Sequence, residues 1–308
     1  MRMFVGTSPK DAYMLPPGTH MMMNASQFWR DGRWRPSRPR NAGLIFLDSG
    51  GYVFFNRFGD YPFGIAEYLE LVRRLRPDFF ASMDYPCEPT ISSELGQMPV
   101  AERIQRTVEN AVAIKEAQQA LDAPGLLVPV IQGWTIDDYL YCLELHQQAG
   151  TTAPYMAIGS LCSRSNSSQI QDVIRAVWDA AREMGVKWLH GFGVKRSPHV
   201  LSREMRRKLE SRDSAAVYYL SSKHKSVRAD WRKQRNGQTS RFPPDRAGKR
   251  LAISLFVDEL TDAALRWRQV QDEVAEAMCC LTDDEIDNGL VSAYEEEMFW
   301  DEMDEMNE

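Results

Sequence analysis

The chain has 308 residues, 44% hydrophobic and 26% charged, which is ordinary for a globular protein. No apolar run reaches the roughly 18 residues of a membrane span, and the opening MRMFVGTSPK lacks the apolar core of a signal peptide, so the expected setting is cytoplasmic. The formal net charge of -6 hides a segregation: residues 283–308 hold 12 acidic residues and no Lys or Arg, which leaves 37 basic against 31 acidic residues, or +6, in the rest.

Along the chain a rhythm repeats: a short apolar or β-branched run, a polar tip, then a helical stretch. The tips fall near Gly6, Asn24, Asp48, Asp84, Gln132, Gly159, Gly191 and Asp213. Between them, helical spacing of apolar residues marks GIAEYLELVRRLR at 64–76 and the long stretch from Pro99 to Leu121. Residues 135–150 run from a Thr cap to a Gly, and 168–185 from a Ser to a Gly. Strand and helix in alternation predict a parallel sheet of the α/β class. Eight tips predict a (β/α)8 TIM barrel, a fold that uses about 250 residues as one domain and sets its active site at the C-terminal strand ends. An open doubly wound sheet is the alternative, although the chain has no GxGxxG and no P-loop.

Beyond the eighth tip the pattern changes. A basic, Gly/Pro-punctuated insertion is expected at about 221–250, then a C-terminal helix at about 258–280, then the acidic tail 283–308. The barrel domain with its insertion spans 1–282. Residues 195–250 hold 17 Lys/Arg against 5 Asp/Glu, and WRDGRWRPSRPR at 29–40 holds five arginines. Basic stripes with interleaved aromatics fit a nucleic-acid partner. A solvated surface in an arginine-biased chain, 28 Arg to 9 Lys, is the structural alternative. The five cysteines, Cys87, Cys142, Cys162, Cys279 and Cys280, are odd in number and scattered, as reduced thiols are.

The tips carry the functional signal. LDSGGY ends an apolar run, Leu44 to Leu47, on Asp48, Ser49, Gly50 and Gly51. Taken singly, Asp48 fits a turn, Asp84 a cap, Gln132 a loop contact and Asp213 a helix N-cap. Taken together, three carboxylates and a carboxamide on successive barrel tips gather like charges, which costs energy and so points to chemistry.

Five segments resemble the tRNA-guanine transglycosylases: LDSGGY their DSGG motif, VIQG their V-Q-G segment, AIGSL their A-I-G-G-L, LHGFG their L-M-G-V-G, and DSAAVY the nucleophile segment of the archaeal branch. They occur in the family's order from about residue 1 to 220. The tRNA enzymes carry a C-x-C-x2-C zinc pattern, whereas this chain has only Cys279 and Cys280 in that region. It also lacks their tRNA-binding domain. These departures make it more similar to the DpdA-like enzymes of phages and bacteria, which place 7-deazaguanines in DNA. The same exchange on tRNA and a silent nucleic-acid-binding subunit remain as alternatives, as does a retaining glycosidase.

The resemblance implies double displacement with Asp213 as nucleophile and Asp48 as acid/base, without a cofactor. It places Asp84 on the Watson–Crick edge of guanine, with Gln132 and the Gly159–Ser160 backbone on O6. Ser49, Gly50, Gly133, His190, Gly191 and Phe192 line the pocket. Tyr52 or Phe192 would sandwich the base, and Asn24 would orient a catalytic carboxylate or cap its loop. DNA phosphates fall to Arg33, Arg35, Arg38, Arg40, Lys223, Lys225, Arg228, Arg232, Lys233 and Arg235, with Trp34 and Trp231 stacking or wedging. The expected partners are DNA and a free 7-deazaguanine base; a homodimer is left open, and no membrane is involved.

Overall fold

The computed structural model describes residues 2–214 except 11, 16, 90, 92–97, 165–166 and 195–200. The basic insertion with Lys223, Lys225, Arg228, Trp231, Arg232, Lys233 and Arg235, the expected helix at 258–280 and the acidic tail lie outside the described residues.

Nine strand pieces form one parallel sheet. The staves are β1 (Arg2–Gly6), β2 (Thr19–Asn24), β3 (Ala42–Asp48), β4 (Phe79–Ala81), β5, β6 (Tyr155–Ile158), β7 (Trp188–Gly191) and β8 (Ser211–Ser214). The fifth comes in two pieces, Leu126–Val128 and Val130–Ile131, parted by Pro129, which has no N–H for a ladder. Its first piece pairs with β4 and its second with β6, while β1 pairs with both β2 and β8. Counted as one stave, β5 makes the sheet a nearly closed eight-stave barrel, broken only at Pro129. The expected TIM-like α/β architecture is the observed one.

Helices flank the staves. After β3 comes α1 (Gly51–Phe58), then α2 (Ile65–Leu75); after β4 comes α3 (Val100–Ala120). The later units carry α4 (Ile136–Gln148), α5 (Ser167–Glu183) and α6 (Arg203–Lys208). The start of α4 shows why the chain turns there. The Thr135 hydroxyl accepts from the Asp138 N–H at 3.2 Å, and the Asp138 carboxylate accepts from the Thr135 N–H at 2.7 Å. The first two staves are followed by short 3-10 turns at Ala12–Met14 and Ala25–Gln27, not by α-helices. A small hairpin, Trp29–Arg30 with Arg33–Trp34, follows the second.

Period-two alternation separates two cores. Phe4, Met22, Phe46, Ala81, Val128, Val130, Tyr155 and Ala157 fill the barrel, with Leu44, Phe79 and Phe192 packed against them. Ile131, Met156, Ile158 and Leu189 face outward onto Tyr139, Leu143, Ile170, Ile174 and Val177 of α4 and α5. On β3 the inward set is Leu44, Phe46 and Asp48, so the same pleat that buries Phe46 turns Asp48 into the barrel mouth.

Phe46 is fully buried and meets Phe4, Tyr155, His190 and Phe192. Phe46→Ala should cost about 3–5 kcal/mol of stability. Urea unfolding checks this as a lower midpoint at unchanged slope.

Candidate active site

Asp48 ends β3 and is held by neutral donors. The Asn24 amide donates to its Oδ2 at 2.5 Å, and the Gly50 N–H reaches Oδ1 at 3.3 Å. Asn24 also caps the turn after β2, its Oδ1 accepting from the Ser26 N–H at 3.0 Å, so it both orients a carboxylate and caps its loop. Gly50 sits in the left-handed region at φ 83, where a Cβ would meet Asn24 Oδ1 at 2.8 Å. Burial first, then the charge of Asp84 and, more weakly, that of Asp213 push Asp48 from 3.8 up to about 7. Those fields bring the three carboxylates into one mouth.

Asp84 lies three residues beyond β4. Its Oδ1 accepts from the Ser49 hydroxyl at 2.6 Å, and its Oδ2 accepts from the Gln132 amide. The Gln132 carbonyl in turn accepts from the Ser160 hydroxyl at 2.7 Å, and that oxygen takes the Cys87 N–H at 3.2 Å. A continuous arc, Ser49–Asp84–Gln132–Ser160, thus spans the tips of β3, β4, β5 and β6. Gly159 makes it possible, because a Cβ there would strike the Gln132 amide. Tyr61 closes the near end, its hydroxyl 2.9 Å from Ser49 Oγ and donating to the Asp84 carbonyl at 3.0 Å. Burial raises the Asp84 pKa, against the pull of Ser49 and Gln132.

Asp213 sits on β8, inside the strand and not at a helix cap. Its Oδ1 accepts from the Gly193 N–H at 2.7 Å and faces His190 Nε2 at 3.3 Å. His190, fully buried, continues into the barrel: Nδ1 lies 2.6 Å from Ser211 Oγ, which lies 2.5 Å from the Tyr155 hydroxyl. With Nε2–H donating to Asp213, the Nδ1 contact to Ser211 leaves no ring nitrogen without a partner. Both donors act on Oδ1.

The other expected site residues are placed as follows. Gly133 and Gly191 adjoin Gln132 and His190 at the tips of β5 and β7, and Phe192 packs on His190 and Phe46 at the mouth. Tyr52 is 45% exposed on α1. Arg33 and Arg35 are exposed on and beside the hairpin after β2, whereas Arg40, also exposed, lies two residues before β3 begins and so at the barrel end opposite the tips. Arg38 binds the Arg76 carbonyl and pairs with Asp78 at 3.2 Å, immediately before β4 begins and so at the barrel end opposite the tips. Trp34 is only 7% exposed, packed against Trp29 and Phe63, and presents no face to a base. The sequence reading passed over Tyr61 and Glu88. Glu88 is a buried carboxylate whose Oε1 takes the Ser163 hydroxyl at 3.4 Å and whose pKa burial raises.

Known proteins add one decisive comparison. The DpdA family, described as DeoxyPurine in DNA protein A, matches residues 4–231. The chain belongs to this family. DpdA membership makes it a transglycosylase-type enzyme concerned with purines in DNA. No curated protein matches the chain significantly. Among the described residues no group of three or more His, Cys, Asp and Glu is arranged to hold a metal ion, and Cys279 and Cys280 lie outside them. No helix among them is long and apolar enough to cross a membrane.

A raised carboxyl pKa has a stability consequence of fixed sign. The folded state binds the Asp48 proton more tightly than the unfolded chain, so its stabilisation is present below about pH 4 and is lost as pH rises through about 7. Asp48→Asn removes that loss. The variant should gain on the order of 2 kcal/mol relative to wild type between pH 5 and pH 8, read from urea unfolding at both pH values.

Proposed function

We propose that the protein exchanges guanine in DNA for a 7-deazaguanine base by two displacements at the anomeric carbon, without a cofactor. The observation that carries this reading is the unlike environment of two carboxylates in one mouth. Asp48 is pushed up to about 7, whereas Asp213, among the described residues, takes both its donors on Oδ1, which leaves Oδ2 for the attack.

Asp213 Oδ2 attacks C1′, the bond from C1′ to guanine N9 breaks, and its electron pair leaves with the base. Protonated Asp48 delivers a proton to the departing guanine, which leaves a sugar–Asp213 ester. Asp48, now ionised, takes the N9 proton of the incoming 7-deazaguanine. N9 then attacks C1′ from the face that guanine left and frees Asp213. Two inversions keep the configuration of the sugar, as in retaining glycosidases. A group near 7 can give and recover the proton at neutral pH.

Donor counting supports the base contacts. Asp84 has spent one lone pair on Ser49 and one on Gln132, which leaves pairs for the N1–H and exocyclic amine of guanine. The second amide hydrogen of Gln132 and the Ser160 N–H suit O6. Ser49, Gly50, Gly133, Gly159, Gly191, His190 and Phe192 form the walls. A base inside a duplex cannot reach this mouth, so the nucleotide is flipped, with Arg33, Arg35 and the basic segment 223–250 holding phosphates.

The test is mass spectrometry of DNA and tRNA nucleosides after incubation with 7-cyano-7-deazaguanine or labelled guanine, for wild type and Asp213→Ala. A modified or labelled deoxynucleoside made by wild type and abolished in Asp213→Ala is expected. Label in tRNA alone would overturn DNA as substrate, and label in neither would overturn base exchange. His190→Phe keeps an aromatic ring but removes the donor to Asp213. It should lower kcat about 10- to 100-fold at unchanged KM, with wild-type unfolding; a KM change alone would place His190 in base binding instead.

A further inference from the structure

Among the described residues, Glu88 is a carboxylate near the mouth with no assigned work. It follows Asp84 by four residues on the same loop and is 3% exposed. Its Oε1 takes the Ser163 hydroxyl at 3.4 Å and the Cys162 thiol at 3.9 Å. Its Oε2 is buried without a hydrogen-bond partner, and among the described residues no Lys or Arg forms an ion pair with it. A buried carboxylate oxygen left so is costly, and each such group in a native fold calls for an explanation.

The surroundings tie Glu88 to the site. Cys87, its chain neighbour, donates to the Ser160 hydroxyl, the far end of the Ser49–Asp84–Gln132–Ser160 arc. Cys162 touches Gly193, whose N–H holds Asp213, so Glu88 and the nucleophile flank the same thiol.

The order along the arc matches the order of groups around the base. A 7-deazaguanine presents, in sequence, its exocyclic amine, N1–H, O6 and the substituent on C7. With the first two at Asp84 and O6 at Gln132 and Ser160, the C7 substituent falls at the Ser160–Glu88 end. We infer that Glu88 Oε2 binds a protonated amine carried on C7, so that this protein selects an aminomethyl-type 7-deazaguanine over one bearing a nitrile. The inference rests on the base-exchange reading and narrows its substrate. Burial raises the pKa of Glu88 and the Asp84 charge adds to it, as expected of a carboxylate whose cation comes with the ligand. A nitrile carries no positive charge and no hydrogen to set against Oε2.

The test is calorimetric binding of free 7-aminomethyl-7-deazaguanine, 7-cyano-7-deazaguanine and guanine to the full chain, wild type and Glu88→Gln. Wild type should bind the aminomethyl base at least about tenfold tighter than the cyano base. Glu88→Gln, which keeps the shape, should erase that preference and leave guanine affinity within about twofold. Equal or tighter binding of the cyano base by wild type, binding of neither base, or an unchanged preference in Glu88→Gln would each overturn the inference. Labelled guanine exchange into DNA, which involves no C7 substituent, is run beside it. Its absence with the aminomethyl preference intact would sink base exchange alone, and its presence without the preference would sink the role of Glu88 alone.

Discussion

Three carboxylates share one mouth, and their hydrogen bonds among the described residues come from amide, hydroxyl, imidazole and backbone donors. Like charges a few ångströms apart repel by about 4 kcal/mol at an effective dielectric constant of 20, so they cannot all be ionised without help. The help is unequal. Asp84 takes a hydroxyl and an amide, and Asp213 an imidazole and a backbone N–H. Asp48 has Asn24 and a long contact from Gly50, and it feels both neighbours. The proton therefore settles on Asp48.

The barrel is what permits this crowding. Parallel staves deliver Asp48, Gln132 and Asp213 to one end, although they are distant in sequence, and the pleat aims every second residue inward. Below them the aromatic interior of Phe4, Phe46, Phe79 and Tyr155 excludes water. The polar thread through it, Asp213–His190–Ser211–Tyr155, leaves no heteroatom of His190 unsatisfied. Packing and electrostatics meet at His190, whose ring lies 4.7 Å from Phe46 while its nitrogens serve Asp213 and Ser211. A ring so tightly packed cannot turn, and Asp213 inherits its fixed direction.

The tips and four long helices were legible because each is a local pattern: an apolar run ending on a polar residue, or apolar spacing between a cap and a glycine. The rest depended on distant contacts. The aromatic run after DSGG gives no strand-or-helix signal by spacing alone, and it forms α1 because Phe54 and Phe55 find buried partners. Trp34 sits in an arginine-rich stretch that suggests exposure, yet Trp29 and Phe63 bury it. Arg38 looks like its neighbours, but the chain has by then returned to the opposite end of the barrel. His190 was legible as a tip residue, though its place beneath Asp213 was not. Glu88 did carry a signal, a carboxylate in the otherwise apolar YPCEP segment four residues past Asp84.

Among the described residues, the arginines nearest the mouth bear out the same constraint. A guanidinium against Asp48 would pull its pKa down and end its use as a proton carrier near neutrality. Arginines close by are turned to other work. Arg103 donates to the carbonyls of Met98 and Pro86, and Arg164 donates to the Trp134 carbonyl and lies 4.3 Å over the Trp134 ring. Arg212 is next to Asp213 in sequence, but strand alternation sends the two side chains to opposite faces. Among the described residues, exposed positive charge lies on Arg33 and Arg35 of the hairpin segment, and the three carboxylates of the mouth are met by amide, hydroxyl, imidazole and backbone donors.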